Sequence, residues 1–385
     1  MQQLKDIEQY LNDNYFFREN LVDGLFYFRY KKEEMDYQVL NENTLWRELH
    51  NEKNFNVKIS DIMNLLKSDF TEKFDPINEY FLSLKKIKSK VCEIEKLCTY
   101  ITIDGDNNEQ LLFNLAFKKH LIRSVACAIG NQQFNKHCLV FVSKKQNNGK
   151  STICRWLCPP ALKNCYAENI TTDKDSLIAL TENFIINLDE LSTLMKSEIN
   201  SLKSIFSKDA VKVRRPYERK AIVLKRRCSF FGSTNRAEFL SDESGSVRWL
   251  CFNIKNIDWK YIDNIDIDKI WASAYQLYIV GFNYNLDLIE VNNNEERNQS
   301  FSITNIEEEL IKKEFVPSEK DNTESSFFTT TEISLHLNTI YNTKQTLSIL
   351  QIGKALTRLN FNKTQKWNGH FQEKGYWVIH NTKIK

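Results

Sequence analysis

The chain has 385 residues, 42% hydrophobic and 12% aromatic, with ten glycines, five prolines and a formal net charge of +3. Those values allow a substantial core in two or three domains, argue against low-complexity linkers, and leave a net charge too small by itself to call for a nucleic acid. No run approaches the roughly 18 apolar residues that a membrane-crossing helix needs, and Met1 to Glu8 lack a basic-then-apolar export pattern, so a cytoplasmic protein with no membrane partner is expected.

Residues 1–70 mix short helical and strand patterns and read as an accessory α+β segment. Ile7, Leu11 and Phe16 suggest one side of an opening helix, and Gly24 to Tyr30 reads as a strand after a turn. From Asp61 to Gln133 helical spacing dominates, so residues 71–135 form a helical domain with Leu112, Leu115, Leu121, Ile122 and Val125 among its core positions. Ile103 to Asn108 interrupts it as a loop.

Residues 136–295 alternate apolar strands with helical stretches, as an α/β sheet requires. The run Leu139-Val140-Phe141-Val142 feeds a polar loop that ends in Gly149-Lys150-Ser151-Thr152. A strand, a tight turn and a helix start in that order form a phosphate-binding loop. Gln146, Asn147, Asn148, Gly149, Lys150, Ser151 and Thr152 are therefore candidates to hold ATP, with Lys150 reaching the β/γ-phosphates and Ser151 holding Mg²⁺. The pattern G-x-x-x-x-G-K-[ST] has Lys144 at its first glycine, and Asn147 and Asn148 tolerate the left-handed turn conformations that remain necessary. A Gly-Lys-Ser tripeptide alone also arises by chance on an exposed loop. Cys154, Cys158 and Cys165 come nearest to a cysteine cluster but lack C-x-x-C spacing and nearby histidines, which favours reduced thiols over a metal site.

A second apolar strand, Phe184 to Leu188, ends in Asp189-Glu190. Asp189 can support Mg²⁺ while Glu190 polarises the attacking water; read alone, the pair could equally cap a helix starting near Leu191. A third strand ends at Gly232-Ser233-Thr234-Asn235, where Asn235 can orient the water or the γ-phosphate. Arg248, in Gly245-Ser246-Val247-Arg248-Trp249, is a candidate arginine finger supplied to a neighbouring subunit. Between Lys203 and Arg227 there are ten Lys/Arg and two acidic residues, with Tyr217 in the middle. Beyond Asn294 the composition turns polar, and 296–325 reads as a linker. Residues 326–385 regain order: Thr329 to Glu332 can cap a helix, a second helix runs from about Ser348 to Asn360, and a hairpin follows. Helix, helix, hairpin is the order of a winged-helix-like domain, which binds DNA in some proteins and other proteins elsewhere.

In their order along the chain these motifs resemble the virulence-associated protein E family of P-loop ATPases, which look like superfamily 3 helicases of the AAA+ class. Phe74-Asp75-Pro76-Ile77-Asn78-Glu79-Tyr80-Phe81, Leu188-Asp189-Glu190-Leu191, Arg214-Arg215-Pro216-Tyr217, Gly232-Ser233-Thr234-Asn235 and Phe239-Leu240-Ser241-Asp242 carry the likeness. Leu157-Cys158-Pro159-Pro160-Ala161-Leu162 fits members from Bacteroidetes mobile elements in particular. The resemblance implies an α/β fold with a P-loop AAA+ ATPase core, a mainly helical N-terminal region and a small winged-helix-like C-terminal domain. It also implies a ring, hexameric in the family, that works on DNA, more often single-stranded. A channel-facing hairpin between the second and third ATPase motifs of such relatives makes Lys208, Lys212, Arg214, Arg215, Arg219 and Lys220 candidates for phosphate contacts. The expected function is an ATP-dependent DNA translocase or helicase in replication or mobilisation of a mobile element or prophage. The alternative is a nucleotide-gated DNA-binding regulator or replication initiator without processive unwinding.

Overall fold

The computed structural model describes residues 2–87, 92–130, 134–171, 173–193, 196–214, 220–240, 246–303, 305–342, 346–367 and 369–381. It has the mixed α/β character expected, divided into a unit of residues 1–301 and a unit of residues 302–385.

The first unit opens with a helix at Gln2–Asn14 and a four-stranded sheet. Its strands are β1 (Tyr15–Asn20), β2 (Phe26–Tyr30), β3 (Gln38–Val39) and β4 (Glu72–Phe74), in the order β3-β2-β1-β4. Ile7 and Leu11 seal the helix against Tyr15, Phe17 and Phe26. Phe16, expected on the helix face, instead lies in β1 and is 39% exposed, because the helix ends at Asn14 and the period changes from 3.6 to 2.

Helices Pro76–Ser83 and Asn107–Ile129 lead to the central sheet. Asp75 explains the Phe74 to Phe81 motif in structural terms. Its Oδ1 accepts from the Ile77 and Asn78 amides at the helix start, and its Oδ2 accepts from Arg227 Nη1 at 2.5 Å. The central strands are β5 (Ile101–Ile103), β6 (Cys138–Val142), β7 (Tyr166–Glu168) and β8 (Ile185–Leu188), with β11 (Ser229–Thr234) and β12 (Trp249–Ile257) after an outlying pair, β9 (Ala210–Val213) and β10 (Ile222–Lys225). The sheet order is β5-β12-β6-β11-β8-β7, and all neighbours are parallel except β5 with β12. From β6 the chain runs outward to β7, returns through β8 and β11, and then crosses to β12 on the other side. The carboxyl end of β6 is thus a topological switch point, where open α/β sheets bind ligands. Every residue of β6, β8 and β11 is buried, as expected of parallel strands covered on both faces.

The second unit packs helices Ile306–Glu314, Thr330–Tyr341 and Ile349–Arg358 around Leu310, Ile333, Leu337, Ile352 and Leu356, against β13 (Phe315–Pro317), β14 (Ser326–Phe328), β15 (Lys363–Trp367) and β16 (Gln372–His380). Thr329 and Glu332 form the capping box expected from their spacing, and β15 pairs with β16 as the hairpin. Residues 296–325, read above as a linker, contain the helix Ile306–Glu314 and strand β13, with Leu310, Ile311 and Phe315 in the unit's core.

Candidate functional site

The carboxyl ends of β6, β8 and β11 enclose a cleft of about 400 Å³ lined by Gln146 to Thr152, Asp189, Glu190, Ser233, Thr234, Asn235 and Trp259. The loop after β6 needs the left-handed region at two residues, Asn147 (φ 54°) and Gly149 (φ 87°). Lys144 is not among the residues with positive φ, so a side chain there costs the turn nothing. Lys150 follows as the first residue of a helix and turns its Nζ back into the loop. It donates to Ser143 O at 3.3 Å, Lys145 O at 3.0 Å and Asn148 Oδ1 at 2.8 Å. Burial pushes this ammonium below its ordinary pKa, and Asp189 pulls it the other way. Asn148 Nδ2 is buried with no hydrogen-bond partner, an orphan donor at the cleft.

Opposite the lysine, Ser151 Oγ donates to Asp189 Oδ1 at 2.6 Å, Ser233 Oγ donates to the same oxygen, and the two hydroxyls are 3.1 Å apart. Asn169 Oδ1 accepts from the Asp189 amide at 2.9 Å and fixes the strand tip. Glu190 lies exposed at the cleft with φ 52°. That conformation is uncommon for a residue with a side chain, and Asp189 Oδ1 holds it by accepting from the Glu190 amide at 3.1 Å. Asn235 follows the tip of β11 and completes the far wall.

Lys150, Ser151, Asp189, Glu190 and Asn235 are thus brought into one cleft, and Arg248 is not. It immediately precedes β12, its carbonyl accepting from the Cys138 amide at the amino end of β6. The five residues of β6 therefore separate it from the loop after β6 in its own chain, about 16 Å at strand rise. Arg248 Nε donates to Ser207 Oγ at 2.9 Å.

Lys212 lies in β9 of the antiparallel pair β9 and β10, and Lys208, Arg214 and Lys220 flank that pair. Val211 and Val213 face the core while Lys212 between them and Arg214 after them are exposed. Arg215 and Arg219 lie outside the described residues. Sequence reasoning missed three cleft members, Ser233, Thr234 and Trp259. Ser233 supplies a hydroxyl to Asp189. Trp259 lines the cleft, 46% exposed, with its ring so close to the loop that a Cβ on Gly149 would sit 3.2 Å from Trp259 Cζ2. Ser233 and Thr234 belong to the Gly232 to Asn235 strand tip read above, whereas Trp259 has no local signature and reaches the cleft only through the fold.

Fold and site together define a mixed α/β protein with a polar ligand cleft at the switch point of a largely parallel sheet. The virulence-associated protein E-like domain matches residues 89–303, more than half of the chain, and the chain belongs to that family. No curated protein matches it in sequence. Among solved structures, the A form apo structure of the NrS-1 C terminal region is similar at TM-score 0.50 and 13% identity, covering 98% of this chain and 99% of that one. A further apo structure of the same region gives 0.49 with the same identity and coverage. A structure described as "SCCmec type IV Cch - active helicase" gives 0.39 at 9% identity, with 95% and 92% covered. Among the described residues no helix is long and apolar enough to cross a membrane.

Proposed function

We propose that this protein is a P-loop ATPase with an AAA+-type core in residues 136–295, a winged-helix-like domain formed by 326–385 within the second unit of 302–385, and the activity of a DNA translocase or helicase serving a mobile element or prophage. The observation that carries this reading is the convergence of Lys150, Ser151, Asp189, Glu190 and Asn235 at the switch point of one sheet. Three separate strands deliver them, which chance occurrence of a Gly-Lys-Ser tripeptide does not explain. Family membership and the fold likeness support it.

The residues fit ATP and Mg²⁺ by their chemistry. Lys150 and the unpartnered Asn148 Nδ2 offer donors for phosphate oxygens. Ser151, Ser233 and Asp189 offer a hard-oxygen set of the kind Mg²⁺ takes. When bound, Mg²⁺ supplies neutralisation of the charge that develops on the transferring phosphoryl group. In this reading Lys150 binds and orients the β/γ-phosphates, Ser151 and Asp189 hold the metal, Glu190 accepts the proton of the attacking water, and Asn235 positions that water. Trp259 offers a flat apolar face to the base. Arg248 points away from its own cleft and acts on the cleft of a neighbouring subunit, which requires a ring or another closed assembly. Lys208, Lys212, Arg214 and Lys220, with Arg215 and Arg219 of the same segment, contact the DNA backbone.

The test is ATP hydrolysis with and without single-stranded DNA, comparing the wild type with Lys150→Ala and Glu190→Gln. Turnover stimulated by DNA and absent from both variants is the expected result. Wild-type turnover no greater than that of the variants under every DNA condition would sink the motor reading. The alternative, a nucleotide-gated initiator or regulator, is favoured by the helix, helix, hairpin order of the second unit. It would show site-specific duplex binding modulated by ATP without processive turnover.

A further inference from the structure

The second unit contains a cluster that the phosphate cleft does not use. Glu314 ends the helix Ile306–Glu314, His336 lies in the helix Thr330–Tyr341, and His380 ends β16. Their distance apart in sequence hides them from any motif search. In the fold, Glu314 Oε1 lies 3.2 Å from His336 Nε2 and 3.5 Å from His380 Nδ1, and one ligand-type atom from each residue falls within 4.8 Å of the others.

We propose that Glu314, His336 and His380 form a binding site for a divalent transition-metal ion of the zinc class. Zinc bonds to imidazole nitrogen and carboxylate oxygen at about 2.0–2.1 Å, so two donors on a tetrahedron stand about 3.3 Å apart. The two oxygen-to-nitrogen distances bracket that edge. An ion pair accounts for less: 3.5 Å is long for a hydrogen bond, yet both rings converge on a single carboxylate oxygen. Two imidazoles and a carboxylate suit zinc and its neighbours and not the hard cation of the phosphate cleft.

The surroundings hold these donors in place. Glu314 O accepts from the Asn381 amide at 2.8 Å, and Tyr341 OH lies 3.4 Å from Glu314 Oε2. The Phe315 ring packs 5.2 Å from the His336 ring and 5.1 Å from the His380 ring. Such supporting contacts orient metal ligands. His380 is 42% exposed, which leaves water access for a fourth position. The ion would clip the last strand to two helices, so its binding is linked to the unit's folding.

The test uses the full chain, stripped with a chelator and then titrated separately with Zn²⁺ alone and with Co²⁺ alone as a visible probe, in excess Mg²⁺ to occupy oxygen sites. Expected are about one equivalent bound per chain, a Co²⁺ absorption band of tetrahedral type that Zn²⁺ displaces, and a higher melting temperature with Zn²⁺. His336→Gln and His380→Gln should each weaken binding at least about tenfold, whereas His50→Ala and His370→Ala should leave it unchanged. Circular dichroism reports whether each variant folds, and His380→Gln, at a strand end, carries the test should His336→Gln fail to. No binding by wild type, or equal binding by wild type and His380→Gln, would overturn the proposal.

Discussion

The two ends of the central sheet use polar residues in opposite ways. At the carboxyl ends of β6, β8 and β11, Lys150, Asp189, Glu190 and Asn235 face an open cleft, and the backbone there takes positive φ at Asn147, Gly149 and Glu190. At the amino ends the charged and polar groups are buried. Arg226 is fully enclosed and donates to the carbonyls of Phe206 at 2.8 Å, Cys228 at 3.1 Å and Asn135 at 2.5 Å. His120 Nε2 meets Phe230 O at 3.1 Å, and its ring stands edge-on to Phe231. One end thus keeps its polar groups available to a ligand, while the other uses them to satisfy buried backbone carbonyls. Arg248 is the exception, an amino-end cation with an exposed hydrogen bond and no buried role.

The contrast can be broken first at the cleft. Lys150→Ala or Glu190→Gln should lower turnover at least about a thousandfold, about 4 kcal/mol of barrier, without changing the melting temperature of the apoprotein by more than a few degrees. Retention of a tenth of wild-type activity by Glu190→Gln would remove that residue from the chemistry.

Arg248→Ala should cost a similar factor, about a thousandfold, but with a signature of its own. Mixed with Lys150→Ala chains, it should regain turnover, because the second chain supplies the missing arginine to an intact cleft. Mixtures no more active than either variant alone would dismiss action between subunits.

Arg226→Met should leave the cleft's chemistry intact and destabilise the first unit by about 3 kcal/mol, since three buried carbonyls lose a charged donor. Urea unfolding followed by circular dichroism measures it, and a loss under 1 kcal/mol would contradict the structural role.

The amino end should also be sensitive to acid. Burial, then Arg123, holds both His120 and His137 well below the ordinary imidazole pKa of 6.5. The unfolded chain therefore binds more protons than the folded one below that value. Stability is full above pH 6.5 and falls as pH drops toward the folded-state values, by up to about 1.4 kcal/mol per pH unit for each ring. His120→Asn should flatten that slope, and denaturation midpoints across pH 5 to 8 would expose a slope left unaltered.

The smallest effect belongs to Trp259→Ala, which should weaken nucleotide binding several-fold, about 1 kcal/mol. Anisotropy of a fluorescent ATP analogue titrated with each protein would measure it, and an unchanged affinity would assign Trp259 to loop packing alone.

How much of this was legible beforehand follows from how local each signal is. Gly149-Lys150-Ser151, Asp189-Glu190 and Gly232 to Asn235 are each a strand end with a polar tip, a pattern confined to a few consecutive residues, so the cleft's main members were readable one by one. Thr329 and Glu332 were readable for the same reason, through capping-box spacing. The helix Ile306–Glu314 was obscured by Glu307-Glu308-Glu309, whose charge hid the core pair Leu310 and Ile311. Arg226 looked like one more member of a basic run, and only burial distinguishes it from Arg227, which pairs with Asp75.

By itself the sequence determined the α/β alternation, the phosphate-loop pattern, the carboxylate pair and the family resemblance, because each depends on neighbours along the chain. Tertiary structure alone decided which residues meet. The order β5-β12-β6-β11-β8-β7 places Ser151, Asp189 and Ser233 around one oxygen, sets Trp259 against Gly149, and sends Arg248 to the far end of its own sheet. It also gathers Glu314, His336 and His380 from three elements of the second unit. Contacts between distant segments are fixed by strand pairing and by the burial of apolar faces, and neither leaves a local trace in the order of residues.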